Sequence, residues 1–558
     1  MHLRKLWLLA GVVFAGLVLV ATGSARQTSS KAAGTMVIGL EQEPTILNTN
    51  IIGGDALANV YIAVPLWSGA YKITPTFGYM PELIKSATVK QNPMRLTYHI
   101  NPKAYWNDGG KKVPVTAQDF VFTWHVVMNP QIQVLGTTGF DQIKSAKIIN
   151  KKTVTFTFKT PYAGWKLLYP DNEGVLPSFA LKNDASFNKV WLNYVNDPRN
   201  NKPISLGPYI MTGPGDWVHG RQLTLTRNPL WWEGKAKLSK LVFRFYPDSQ
   251  TEAQQIKSGE LDAFNPQPQV FLVPLRHTAG LKTQIGRGPV FEHIDFNVGF
   301  GRQEPLLKQL WFRQAFAYAI DRNSIVSALF AKTGIAPGLP VLQNIWLFQG
   351  SPYYKKPWAY VKHNVQKAIN LLKAHGCTGG PSKPGQGGIF TCQGHRASFG
   401  FAWRSGNQLR QLTFEILQQQ LKAAGIEIKA DDSADLFSSR LPKGDFDITL
   451  FAWQGSPDLS GLNNLYGCRN DAKNLNQQND QGYCNTKVTR WLNQVNRTFN
   501  PKVQAAIFNK ATAQMAHDLN TIPLYQKPTY LIYKSRFKGV KENPTSETFM
   551  WNIGHVAG

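Results

Sequence analysis

The apolar period along this chain switches repeatedly between about 2 and about 3.6 residues, which restricts the fold to a mixed α/β class. "TVTFTFKT" (153–160) alternates strictly and reads as a strand, as does "QLTLTR" at the start of 222–232. In "LKQLWFRQAFAYAIDRNSIVSALF" (307–330), Phe312, Ala315, Phe316, Ala319 and Ile320 recur at helical spacing and form one buried face. Asp321 is expected to cap a second helix after a break. "VTAQDFVFTWHVVMNP" (115–130) predicts a helix with Thr116 as cap, Asp119 at the capping-box position and Asn129-Pro130 as its stop. In "DSQTEAQQIKSGELDAF" (248–264), Ser249 and Glu252 predict a capping box and Gly259 ends the helix. "NVQKAINLLKAHG" (364–376) and "NQLRQLTFEILQQQLKAAG" (407–425) are amphipathic helices, each stopped by Gly; "IEIKA" (426–430) follows as a strand. At 558 residues the chain exceeds what one core supports, and about three domains are expected.

The N-terminus has the pattern of an export signal. "MHLRK" is basic, "LWLLAGVVFAGLVLVA" (6–21) is apolar, and "ATGSA" supplies small residues for cleavage. Cleavage is expected after Ala25 or Gly23, giving a signal peptide over 1–25 and a flexible linker over 26–35; the alternative is an uncleaved anchor. Four cysteines fit an oxidising compartment. They form two local pairs, Cys377 with Cys392 and Cys468 with Cys484, each bracketing a Gly/Pro-rich or polar loop that burial alone would not order. Local disulfides are expected. A zinc site is disfavoured, because there is no CxxC and no nearby His pair.

Formal charge is +27. Nucleic acid, an anionic membrane or a cell-wall polymer would each attract such a chain. The Lys and Arg are scattered, however, and no nucleic-acid motif is present, so no nucleic-acid partner is expected. A basic solvated surface or electrostatic association with an anionic cell envelope remain. There is no GxGxxG after a strand, no P-loop, no GxSxG and no HExxH, so an enzyme reading has no anchor. One stretch does ask for a function. In "DFDITLFAWQGSPD" (445–458), Phe446, Ile448, Leu450 and Ala452 share one parity, as in a half-buried strand. That strand runs into a Trp, a Gly, a Pro and an Asp. Asp458 can be a catalytic acid, part of a ligand-binding loop, or the former of an Asx turn.

From about residue 36 to its end the chain resembles the family 5 extracellular solute-binding proteins, the peptide- and nickel-type receptors of ABC importers. The landmarks occur in the family's order: "MPELIKSATVKQNPMRLTYHINPKAYWNDGGKKVPVTAQDFVFTW", "GPYIM" with "LTLTRNPLWW", "QIKSGELDAF", "FRQAFAYAIDRNSI", "LQQQLKAAGIEI", "DFDITLFAWQGSPD" and "IPLYQKPTYLIY". The resemblance implies a two-lobed periplasmic-binding-protein-like (type II, Venus-flytrap) α/β fold with an additional inserted α/β domain. Lobe I would take 36–67, 206–289 and 522–558, the inserted domain 68–205, and lobe II 290–521. It also implies a non-enzymatic monomer that closes over a peptide-like solute and docks on a membrane permease, with no cofactor and no metal site. A secreted hydrolase acting on peptide or glycan and a nickel or metal-chelate receptor are the alternatives; no ligand His cluster supports the latter.

Site residues follow from the resemblance. Arg404 in "GFAWRSGNQ" matches the Arg that pairs the peptide carboxylate in dipeptide-binding members. Trp453 would supply an apolar wall, Gly455 a close backbone approach, and Ser456 or Asp458 a polar contact. Ser456 stands where those members have the Asp that holds the ligand amine, and Asp435 where they have a Trp. The lipoprotein Cys is absent: "ATGSARQ" offers Ser24. An extracytoplasmic location, periplasmic or at the cell surface, is expected.

Overall fold

The computed structural model describes residues 34–288, 290–335, 340–455, 458–469 and 478–558. The expected export signal and Ser456 lie outside the described residues. Two large sheets organise the chain. The first has eight strands, in the order Tyr209–Ile210, Gln222–Arg227, Lys240–Phe245, Thr35–Leu40, Ala263–Phe264, Thr529–Lys534 and Leu281–Gly286, with Trp217–Val218 added on Gln222–Arg227. Thr35–Leu40 runs parallel to both its neighbours. The second has five strands: Glu427–Ala430, Ser398–Ala402, Ile448–Gln454, Val290–Phe296 and Thr521–Gln526.

The chain passes between these sheets at two adjacent places, after Gly286 and after Gln526. The passages are tied side by side: the Lys527 N–H donates to the Val290 carbonyl (2.9 Å) and the Gln526 side-chain amide to Gly288 O (2.7 Å). Two short side-by-side connections, running in opposite directions between two sheets, are the layout of a hinge. The C-terminal piece therefore enters the eight-stranded sheet after Gln526 and not at 522, because Thr521–Gln526 still pairs with Val290–Phe296. "TIPLYQ" is buried throughout, including its polar ends Thr521 and Gln526, so its pattern marks no boundary; the break comes at Lys527-Pro528.

The segment 68–205 builds two four-stranded sheets, one of Ile84–Lys90, Arg95–Ile100, Thr153–Phe158 and Ile143–Asn150. Its core is continuous with that of the eight-stranded sheet. Trp67 joins them, its ring tilted against Trp191 at 4.6 Å and edge-on at 6.3 Å to Trp106. A separate core lies around the five-stranded sheet.

Local expectations meet the structure unevenly. Asp119 accepts from the Thr116 N–H (2.8 Å) at the start of helix Ala117–Val127, and Asp321 caps Arg322–Phe330. Helix Ser249–Ser258 differs. Its cap is Asp248, which accepts from Thr251 N (2.7 Å), and Glu252 is buried instead of reaching back to Ser249. Gly259 ends that helix at φ +92°, where a side chain would strain the backbone. Strand Ile448–Gln454 is not half-buried: Thr449 and Phe451 on the opposite parity are as enclosed as Ile448 and Leu450. Phe446 and Phe451 pack into a small cluster with Leu436 and Leu441. Each such burial contributes about 1.5–3 kcal/mol, so both faces hold this strand in place.

Cys377 pairs with Cys392 and Cys468 with Cys484 at disulfide distance, 15 and 16 residues apart. Non-reducing peptide mapping is expected to recover these two links. Opening the first by Cys377→Ala with Cys392→Ala is expected to lower stability by about 3 kcal/mol, the loop-entropy value for a closure of this size. A peptide joining Cys377 to Cys468 or Cys484, or four free thiols, would contradict the pairing.

Candidate functional site

Where the strand ends of the two sheets meet beside the crossings there is a cavity of about 590 Å³. Leu40 and Glu41, from the end of Thr35–Leu40, form one side; Trp453 and Gln454, from the end of Ile448–Gln454, form the other; Val290 and Lys527 come from the crossings. A crevice of this size at strand ends, between lobes joined by a hinge, is suited to a small solute.

Aromatic rings line much of the wall. Trp453 lies edge-on to Phe451 at 5.2 Å and near-parallel to Trp346 at 6.3 Å. Trp346 holds φ at +61°, an uncommon conformation for a large side chain. Its indole N–H donates to the Tyr466 hydroxyl (3.2 Å), which fixes the ring against the cavity. Phe437, on the turn after Asp435, also faces the cavity and meets Phe451 edge-on at 6.0 Å. The aromatic wall missing at Asp435 is thus supplied two residues later.

The charged groups fall into two sets. In the first, Arg410, on the opening turn of helix Gln408–Ala423, bonds Glu292 from Nε at 2.5 Å. Glu292 is wholly buried on the strand Val290–Phe296. Burial alone would push its carboxyl up, but Arg410 and then Lys527 hold it below the usual range. Arg404 follows strand Ser398–Ala402. Its Nη1 donates to the Ser405 carbonyl (2.8 Å) and its buried Nε has no partner. Burial lowers its pKa. The Lys527 ammonium makes no hydrogen bond or ion pair among the described residues, and burial brings it down to about 8. Nearby, Glu252 has neither oxygen bonded, and burial pushes it well above the carboxylate range. Gly39 leaves it room: a Cβ there would lie 2.8 Å from Glu252 Oε1.

In the second set, burial and then the Asp55 charge push Asp480 well above the carboxylate range, and both residues line the cavity. Asp55 has a large accessible area, but that area faces the cavity, and desolvation pushes it up to about 6. Glu173 is pushed up to about 7 for the same reason. Near neutral pH Asp55 is largely ionised, Glu173 is divided between its two forms and Asp480 stays protonated, so this side of the cavity favours a cationic or hydrogen-bonding group.

Arg404, Trp453 and Asp458 therefore line one cavity, although they lie on separate segments. Asp458 Oδ1 also accepts from the Ser460 N–H (2.7 Å), the bond of an Asx turn, so turn and cavity roles coincide in one side chain. Gly455 is buried just past the strand end and is not among the lining residues. Sequence reasoning missed Lys527, Glu41, Asp55 and Asp480. Only Lys527 carried a signal, the Lys-Pro step between two apolar runs.

Residues 78–473 match the model for bacterial extracellular solute-binding proteins, family 5 (middle region). The chain belongs to that family. It is 23% identical over 536 residues to the oligopeptide-binding protein AppA of Bacillus subtilis (strain 168), covering 94% of this chain and 92% of the relative. The structure of Bacillus subtilis AppA in complex with a nonapeptide superposes with a TM-score of 0.79 at 22% identity, over 94% of this chain and 99% of that one. A periplasmic EDTA-binding protein, EppA, gives 0.80 at 21% identity, over 94% and 96%. The fold is that of the two-lobed solute-binding proteins, and the family is one of receptors and not of enzymes.

Proposed function

We propose that this chain is an exported receptor that captures a peptide-like solute between its two lobes and delivers it to the permease of an ABC importer. The observation that carries this reading is the cavity itself. It lies beside a two-strand hinge, it is walled by Trp453, Trp346 and Phe437, and it holds an arginine with no carboxylate partner. An arginine fork suits a carboxylate, and aromatic walls accept varied side chains. Binding energy would then favour the closed arrangement. Names among the relatives, oligopeptide-binding AppA above all, support the same solute class. Among the described residues no histidine lines the cavity and no cluster of three or more metal-ligating side chains is found, so nothing there favours the metal-chelate reading.

Thermal denaturation in the presence of dipeptide and oligopeptide libraries tests the proposal. A receptor gains RT ln(1 + [L]/Kd), about 2.7 kcal/mol at a hundredfold excess over Kd, and returns the ligand intact. Cleaved product in the mass spectrum would instead identify a hydrolase.

A further inference from the structure

In the inserted segment, the sheet of Ile84–Lys90, Arg95–Ile100, Thr153–Phe158 and Ile143–Asn150 has one face on the core and one in solvent. Leu96, Tyr98, Val154 and Phe156 point inward and are wholly buried. The residues between them point outward, as the strand period of two requires. Pairing register then fixes the outer face. Lys90 lies directly opposite Arg95. Thr88, Thr97, Thr155 and Lys147 form a second row across all four strands. The two central hydroxyls, of Thr97 and Thr155, bond each other at 2.8 Å, while Thr88, Lys90, Arg95 and Lys147 are exposed.

This face carries no negative charge. Residues 84–107 and 142–170, which hold the four strands and both hairpin turns, contain ten Lys and Arg and no Asp or Glu. Among the described residues the side chains of Lys90, Arg95 and Lys147 make no hydrogen bond and no ion pair. Charge on the two outer strands protects the sheet edges from pairing with another chain, but either sign would do that. Edge protection also asks for no cation on the inner strand Arg95–Ile100. Like charges directly opposite each other destabilise a sheet, and an anion bridging Lys90 and Arg95 removes that repulsion.

We propose that this face is a docking surface for an extended polyanion of the cell envelope, a chain that bears phosphate and hydroxyl groups. Lys and Arg take the phosphates in charge-assisted bonds, and the threonine row between them offers hydroxyls that donate or accept. Three inter-strand steps of about 4.8 Å set Lys147 roughly 14 Å from Thr88, so the chain lies across the strands instead of meeting one point. A bilayer would instead ask for apolar side chains projecting among the cations, and neither row has one. None of these residues lines the central cavity, so the polymer and the solute do not compete. The formal charge of +27 draws the whole protein towards a polyanion, and this face localises the contact.

The probe is poly(glycerol phosphate) immobilised on a sensor surface, with purified protein titrated over it at rising salt. Wild type is expected to bind at low salt and to be released as salt increases. Lys90→Thr, Arg95→Thr and Lys147→Thr together should weaken binding by about tenfold or more, and should lower the slope of log K against log salt by about 2, roughly 0.7 per cation lost on the scale of a single-stranded polyanion. Threonine suits an exposed strand, and the thermal midpoint checks that the fold is kept. Arg95→Thr alone should lower the slope by roughly 0.7 and decides the matter if the triple variant is unstable. As a control, Lys422→Gln, Lys502→Gln and Lys510→Gln remove the same charge from exposed helix positions of the second lobe. That variant should lose less than about threefold, because its charges lie beyond the screening length from the polymer. Equal losses in the two triple variants would show that the charge acts diffusely and would overturn the proposal. So would a wild-type protein that ignores the polymer, or one that prefers phosphatidylcholine vesicles containing phosphatidylglycerol, or double-stranded DNA, at equal phosphate concentration.

Discussion

Arg404→Ala is expected to weaken binding of a peptide carboxylate by about 2–5 kcal/mol, well over tenfold, with the fold intact. The side chain contributes little to the fold: its single hydrogen bond goes to the neighbouring Ser405 carbonyl, and it holds no ion pair among the described residues. Its loss is therefore felt by the ligand, whose carboxylate would be enclosed with one charge-assisted partner fewer. Calorimetry with a peptide retained by the wild-type protein gives the affinity, and the denaturant midpoint shows that stability is unchanged. An unaltered Kd in Arg404→Ala would place the ligand elsewhere between the lobes.

Arg410→Met is expected to act on the other quantity, lowering stability by about 3–5 kcal/mol, because it leaves Glu292 buried without its strongest partner. Glu292 is wholly enclosed in the middle of the five-stranded sheet, and its second oxygen is already unbonded. The pH dependence distinguishes this from simple loss of packing. In wild type the Glu292 carboxyl is held down, so its contribution is present above the unfolded value of about 4.3 and is lost as pH falls through the lower folded value. Without Arg410, burial dominates and the carboxyl moves up, so acidification should partly restore the variant. Denaturant titrations at neutral and mildly acidic pH check both points. A loss below about 1 kcal/mol would show that Lys527 takes over the pairing.

Much of the architecture could be read from the sequence because it rests on local chemistry. Thr116 with Asp119, and Asp321 ahead of its helix, carry their capping function in their spacing, and the two cysteine pairs lie close in sequence. What stayed hidden depends on long-range pairing. Thr521–Gln526 and Ile448–Gln454 are buried on both faces, so an alternating pattern neither marks the one as a member of the second sheet nor separates the faces of the other. The site divides the same way. Arg404 and Trp453 follow from motifs that carry a resemblance, whereas Lys527 reaches the same cavity only because the chain crosses between sheets after Gln526. Asp55 and Asp480 lie hundreds of residues apart in sequence and share a cavity only once both sheets have formed. Glu252 looked like half of a capping box, and its burial against Gly39 depends on a strand that no local pattern links to it.

Native mass spectrometry of the protein, exported and purified without denaturation, is the most direct test of whether it is a receptor for peptide-like solutes. The expected spectrum shows protein carrying intact short peptides, released on unfolding and lost, or much reduced, in Arg404→Ala. Protein that carries only a metal complex, or that turns an added peptide into fragments, would contradict that function.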